Sequence, residues 1–211
     1  MLIEQPAWFL RLLYPHALWR MSAEERAVYL TFDDGPIPEA TPFILDTLDA
    51  FDAKATFFMV GDNVRKYPAL FDEVVSRGHQ VGNHTFHHLG SFKHWTLTYA
   101  VDVTKAQALI PSPYFRPPHG WLRHSVYWWV KHHYRVVMWD LLTRDYSKWL
   151  NGDDVYNNVK RYAHNGSIIT FHDSLKSIDK LKTALPRSLQ WLKDQGYEFK
   201  RLPDNPDETR F

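Results

Sequence analysis

The sequence predicts an α/β protein in which a mostly parallel sheet is covered by helices, and three observations carry that reading. Short β-prone runs alternate with helix-like segments along nearly the whole chain. The strand-like runs are continuously apolar, as strands buried on both faces are, instead of alternating apolar and polar. Clusters of polar residues fall just after those runs, where the strands of a parallel sheet end. Pattern alone leaves an open sheet and a closed barrel both available.

Residues 1–27 read as an N-terminal cap segment, in which Trp8, Phe9, Leu12, Leu13 and Tyr14 form one apolar face beside Arg11. That face is expected to pack onto the domain; contact of residues 8–14 with a membrane surface or a substrate channel is the alternative. Val28-Tyr29-Leu30-Thr31-Phe32 is a β-prone run ending in the turn-forming Asp33-Asp34-Gly35-Pro36. Thr41-Pro42 opens a helix with Ile44, Leu45 and Leu48 on one side, since proline is tolerated in a first turn. Residues 55–60 read as a buried strand. Residues 68–78 read as a helix with a glycine stop, Leu70, Val74 and Val75 forming its apolar side. Gln80-Val81-Gly82 is a very short strand leading into Asn83-His84. Then come a helix near 99–110, a strand near 114–116, a helix near 125–133 and a strand near 135–139. A helix around 154–163, a strand at 167–171, a helix within 181–193 and a strand near 197–199 complete the alternation. The tail, 203–211, carries Pro206 and scattered charges and is expected to be loose.

Composition narrows the function. The 211 residues suit one domain with a sizeable core. A formal net charge of +1 gives no electrostatic reason for a nucleic-acid partner. With no cysteine, disulfides, thiolate metal sites and cysteine nucleophiles are excluded, so any metal must be held by histidine and carboxylate. The abundant aromatic residues suit sugar-ring faces, but they build cores equally well. No stretch approaches the roughly 20 apolar residues needed to span a bilayer. The opening Met1-Leu2-Ile3-Glu4 lacks a basic region, so a cytoplasmic or inner-membrane-face location is expected.

Asp33-Asp34, His84 and His88, Arg116, Asp145 and His172 each follow a strand-like run, directly or after a few residues. In a parallel sheet or barrel such ends converge on one face. Asp34 with His84 and His88 makes a three-ligand metal site, two histidines four apart pointing the same way over one helical turn. Zinc is the first choice; cobalt, manganese, nickel and iron also suit two histidines and an aspartate. His87 lies between them and faces elsewhere. Asp33 is then within reach of a metal-bound water as general base, held ionised by a bidentate contact from Arg116. His172 is placed to protonate a leaving amine, with Asp145 fixing its tautomer and raising its pKa; Asp173 competes for that partnership.

Thr31-Phe32-Asp33-Asp34-Gly35-Pro36, His84-Thr85-Phe86-His87-His88, Arg116-Pro117-Pro118-His119-Gly120, Trp139-Asp140 through Asp145-Tyr146, and Ile169-Thr170-Phe171-His172-Asp173 occur in this order. Together they resemble the five motifs of the polysaccharide deacetylases, the NodB-homology domains of carbohydrate esterase family 4. The resemblance implies a single catalytic domain at 28–202 with an irregular (β/α) barrel of seven main strands. It implies a divalent-metal hydrolase removing an N-acyl group, acetyl first, from an amino sugar in a glycan or glycoconjugate. Asp34, His84 and His88 are then the metal ligands, Asp33 the general base, Arg116 its orienting partner, His172 the general acid and Asp145 the residue tuning it. A backbone N–H near His119 is implied to assist the oxyanion, and Trp95, Trp121 and His119 are candidate sugar contacts. Three positions depart from the pattern. His119 stands where the family has tyrosine, Tyr146 where it has tryptophan, and Thr170 where an aliphatic residue lines the acyl-methyl pocket. Thr170 admits formyl as an alternative to acetyl. A related C–N hydrolase acting on a non-sugar amide and a non-catalytic carbohydrate-binding module are the rival readings.

Overall fold

The computed structural model of the chain describes residues 4–209. A short helix, α1 (Trp8–Leu13), leads into β1 (Ala27–Asp33), followed by α2 (Thr41–Ala50), β2 (Thr56–Met59), α3 (Gly61–Lys66), α4 (Pro68–Ser76) and β3 (Gln80–Asn83). Next come α5 (Thr96–Gln107), β4 (Tyr114–Phe115), α6 (His124–Val130), β5 (Arg135–Val136) and β6 (Leu141–Leu142). The order ends with α7 (Gly152–Tyr162), β7 (Ile168–His172), α8 (Ile178–Asp194) and β8 (Glu198–Lys200). The strands lie side by side as β5-β4-β3-β2-β1-β7-β6, all parallel, and β8 pairs separately with the start of β1. This is the expected irregular barrel of seven main strands, left open between β5 and β6.

The central strands are as apolar as they are because both faces are covered. Every residue of β1 is buried, and Phe57 and Phe171 stack on Phe32 with centroids 5.1 and 5.6 Å apart. On the outer layer, α8 turns Leu181, Leu185, Leu189 and Leu192 inward at helical spacing. Each such side chain contributes about 1.5–3 kcal/mol by leaving water. α7 begins on a capping box, Asn151 and Asp154 satisfying each other's backbone N–H groups.

The N-terminal segment closes the open seam. Leu18 donates to the Val136 carbonyl and accepts from Met138 N–H, both at 2.8 Å, while Leu142 N–H donates to the Glu4 carbonyl at 2.7 Å. Leu10, Tyr14 and Trp19 are buried in a cluster with Phe115, Tyr127 and Trp139. The segment thus packs onto the domain, and it serves as a wall of the barrel. Trp8, Phe9, Leu12 and Leu13 nevertheless remain exposed.

Three expectations need correction. α3 and β6 do not show in the sequence pattern, because six mixed residues and a two-residue strand carry no readable period. The strand expected at 135–139 contributes only Arg135 and Val136 to the sheet ladder; beyond them the backbone pairs with Leu18. The tail is not loose as far as it is described: Pro206–Thr209 is a 3₁₀ turn, Thr209 is buried, and Arg135 donates to its hydroxyl at 2.8 Å and its carbonyl at 2.7 Å, while Arg210 and Phe211 lie outside the described residues.

Candidate active site

β1 delivers two adjacent carboxylates to opposite tasks. Asp33 is the last residue of the strand, and Asp34 takes the left-handed region at φ 85°, so their side chains diverge. The Asn63 amide fixes this turn by donating to the Asp34 carbonyl at 2.8 Å. Asp33 meets Arg116 at 2.7 Å through one nitrogen and one oxygen. The contact is not the bidentate fork expected, because the guanidinium is shared. The nitrogen that contacts Asp33 also donates to the Thr31 hydroxyl at 2.7 Å, and the second terminal nitrogen donates to the Met138 carbonyl at 2.7 Å. Arg116 is buried and lies 4.2 Å from the centroid of the Phe58 ring. Burial disfavours its charge, and Asp33 offsets that cost.

His84 and His88 reach Asp34, but not from a helix. Residues 84–88 form an irregular loop in which Thr85 and His88 have φ of 64° and 55°. Asn83 and Asp102 hold it. The Asn83 amide oxygen accepts from Thr85 N–H at 2.9 Å, and buried Asp102 accepts from both Phe86 and His87 N–H at 2.9 Å. Asp102 also takes the His87 ring, which therefore faces away from the two other histidines. His84 Nδ1 donates to the Arg116 carbonyl at 2.7 Å, leaving Nε2 as the free electron pair. Nε2 of His84 and of His88 lie 3.6 and 3.1 Å from Asp34 Oδ1. The three ligand atoms lie within 4.8 Å of one another. Burial alone would raise the Asp34 pKa, but the adjacent His84 and His88 imidazoles, with His172 adding, hold it well below the usual carboxylate value. Two imidazole nitrogens, an ionised carboxylate and a carbonyl fixing one histidine's tautomer fit a divalent cation.

β7 supplies the other side. His172 ends the strand in register with Asp33. Its Nδ1–H donates to Asp145 Oδ1 at 2.8 Å, and its backbone N–H donates to Oδ2 at 2.7 Å. Burial pushes the imidazole pKa down, but the Asp145 charge outweighs it, with Asp34 and Asp33 adding, and the group rises to about 9. Asp145 is fully buried, and Lys180 holds its carbonyl at 2.7 Å. Asp173 is not the histidine's partner. It accepts from the Thr41 hydroxyl at 2.7 Å, its other oxygen has no hydrogen-bond partner among the described residues, and burial pushes it up to about 8.

Asp33, Asp34, His84, His88, Arg116 and His172 line one cavity of about 390 Å³, and Asp145 stands behind His172. His119 and Trp121 line it as well, whereas Trp95 is 80% exposed and outside the lining. Sequence reasoning missed several contributors. Thr31 anchors Arg116 and bonds the Thr170 hydroxyl at 3.1 Å, so that hydroxyl is satisfied within the wall. Leu10, Trp139 and Leu142 pack together as an apolar wall beside Thr170. Asp102 offered a sequence signal, an acid on the buried side of an amphipathic helix; Leu10 offered none.

Comparison with known proteins agrees with this geometry. A family model described as polysaccharide deacetylase matches residues 20–137. A peptidoglycan-N-acetylglucosamine deacetylase of Bacillus cereus is 33% identical over 192 residues, covering 87% of this chain and 90% of the relative. A chitooligosaccharide deacetylase of Bradyrhizobium is 30% identical, covering 84% of this chain and 90% of the relative. A crystal structure of a peptidoglycan N-acetylglucosamine deacetylase superposes with a TM-score of 0.81 at 30% identity, covering 94% of this chain and 95% of that one. The five ordered motifs, the barrel they end and the family match agree: this chain belongs to the polysaccharide deacetylase family.

Proposed function

We propose that the chain hydrolyses the N-acetyl group of N-acetylglucosamine-type units in a glycan, of the peptidoglycan or chitooligosaccharide kind on which its relatives are named to act. The observation that carries this reading is the pairing of Asp33 with His172. Neighbouring strands end on a carboxylate and a protonated imidazole, in register, beside the Asp34–His84–His88 cluster. A divalent cation held by those three residues, zinc by preference, would polarise the acyl carbonyl and lower the pKa of water toward roughly 7.

The remaining work falls to the chain's own groups. Arg116 keeps the Asp33 carboxylate fixed and uses only one of its oxygens, so the other is open to accept a proton from the attacking water. A backbone N–H near His119, which lines the same cavity, is the donor that the family resemblance assigns to the developing oxyanion. His172 carries a proton on each ring nitrogen; Asp145 keeps that on Nδ1, and Nε2 gives its own to the departing amine. Acetate and the free amino sugar are the products.

Acetyl is favoured over formyl by the same wall that lost a family leucine. Leu10, Trp139 and Leu142 provide apolar surface beside Thr170, whose hydroxyl is occupied by Thr31. The test is acid release by the zinc-loaded protein from N-acetylated and N-formylated glucosamine oligomers and from peptidoglycan fragments. Acetate from a glycan is expected. Metal uptake with no acid released from any glycan would overturn the proposal, and formate release well above acetate would overturn the acyl assignment.

A further inference from the structure

Four of the six residues of α1, Trp8, Phe9, Leu12 and Leu13, are large apolar side chains exposed to solvent. Trp8 and Leu12, 75% and 68% exposed, stand one turn apart, as do Phe9 and Leu13, so together they make an outer apolar face. Closing the barrel seam does not require that face, because Leu10, Tyr14 and Trp19 do the inward packing. Exposed apolar clusters rimmed by polar groups mark interaction surfaces.

The surroundings of α1 indicate what would cover it. Tyr14 ties the end of the helix to α6: its ring packs on Tyr127 at 5.0 Å and its hydroxyl donates to the Leu122 carbonyl at 2.8 Å. The far end of α6 carries half-exposed Trp128, with the Lys131 ammonium 3.2 Å from its ring centroid. A second cavity of about 1050 Å³, separate from the active site, touches α1 at Arg11 and the end of α6 at Lys131, and is lined mainly by residues 15–23 and 131–135. Arg11, Arg20, Lys131 and Arg135 line it, and among the described residues no aspartate or glutamate does. Arg11 reaches inward to Asp140, and Arg135 is engaged by Thr209 and the His16 carbonyl; Arg20 is exposed at the rim.

We propose that this face docks the protein on an anionic phospholipid bilayer. Trp8, Phe9, Leu12 and Leu13 enter the interfacial layer, and Arg20 and Lys131 meet the phosphate headgroups. Charge selects this occupant over a second copy of the chain. A twofold dimer through the face would bring two cation-lined cavities together, whereas anionic lipid complements them. The proposal does not depend on the deacetylase reading. It does set the active site beside the membrane, because Leu10, on the inner side of the same helix, lines that cavity.

The test is flotation of the full chain with vesicles of mixed phosphatidylglycerol and phosphatidylcholine and with vesicles of phosphatidylcholine alone. Partitioning to the mixed vesicles is expected to be about tenfold or more stronger. Trp8→Ser with Leu12→Ser should weaken it by a further factor of about ten, and Arg20→Glu with Lys131→Glu should weaken binding to the mixed vesicles alone. Unchanged circular-dichroism melting verifies that the variants, all at exposed or rim positions, fold. Equal binding to both vesicle types, or binding indifferent to Trp8 and Leu12, would overturn the proposal. So would a concentration-dependent dimer in sedimentation that the Trp8 and Leu12 changes abolish, or saturable binding of glycerol phosphate in place of vesicle binding.

Discussion

Replacing Asp145 by asparagine separates the charge behind His172 from its shape. In the wild type, burial pushes the imidazole down, and the Asp145 carboxylate 2.8 Å away reverses that, leaving the group at about 9. Asparagine keeps the volume and one acceptor but removes the charge, and it turns an N–H toward a donor, either Nδ1–H or the His172 backbone. With the Asp145 charge gone, burial is opposed only by the weaker pull of Asp34 and Asp33, and the imidazole falls toward its ordinary value of 6.5. At pH 8 a group of pKa 9 is about nine tenths protonated and one of 6.5 about 3% protonated, so the acid form drops about 30-fold. The sign follows from the role: a general acid works below its pKa, so the raised value extends activity to alkaline pH and its loss pulls the alkaline limb toward acid. The assay is kcat/KM against pH from 5 to 10 for both proteins at equal zinc loading, so the cation's own effect on His172 enters both profiles. The expected result is an alkaline limb displaced by about two pH units with partial recovery of rate near pH 6. A uniformly lower profile with an unmoved alkaline limb would refute the reasoning and make Asp145 a packing residue.

Four further outcomes are expected. Asp33→Asn should retain bound zinc while kcat falls about 10²–10⁴-fold; unchanged turnover measured on a metal-replete sample removes Asp33 as base. His84→Ala should lose zinc stoichiometry by elemental analysis, and full occupancy would take it out of the ligand set. Asp102→Ala frees the Phe86 and His87 N–H groups between the two histidines and should lower zinc affinity about 10–100-fold by competition titration. An affinity equal to wild type would show that the loop holds itself. Asp173, raised to about 8, contributes stability that is complete below its unfolded value and lost as pH rises through about 8. Asp173→Asn should therefore flatten the fall of Tm between pH 5 and 9, and identical slopes would discount that titration.

The sequence made the chemistry legible more readily than the architecture, for a physical reason. A catalytic carboxylate or imidazole must be a particular residue type, and a parallel strand must end where it acts. Asp33, Arg116 and His172 therefore announced themselves as polar residues just beyond apolar runs. Secondary structure carries that signal only when it is long enough to repeat. β1 and α8 are long and were found; β6 and α3 are short and were not. His84 and His88 stand out as a candidate pair for a partly wrong reason. Their spacing of four suggested a helical turn, but the loop brings them together through left-handed residues at Thr85 and His88 and through Asp102 in a distant helix. Helical spacing marks Asp102 as an acid on a buried side, but nothing local names its partners, the Phe86 and His87 N–H groups sixteen and fifteen residues earlier.

The N-terminal segment makes the same point from the other direction. Periodicity showed an apolar helix face and could not say which half of it would be buried. The structure divides it. A barrel whose β5 and β6 do not pair leaves unsatisfied backbone at its seam, and Leu18 and the Glu4 carbonyl fill those positions. Once the backbone is tied there, Leu10 and Tyr14 must turn inward and Trp8 and Leu12 outward, since residues on a helix this short cannot change face without breaking the seam. The position that lines the acyl wall and those that meet solvent are thus set by one strand-edge requirement. A change at the seam should consequently disturb the active-site cavity and the outer apolar face together. A variant at Trp8 or Leu12 should leave the cavity as it is.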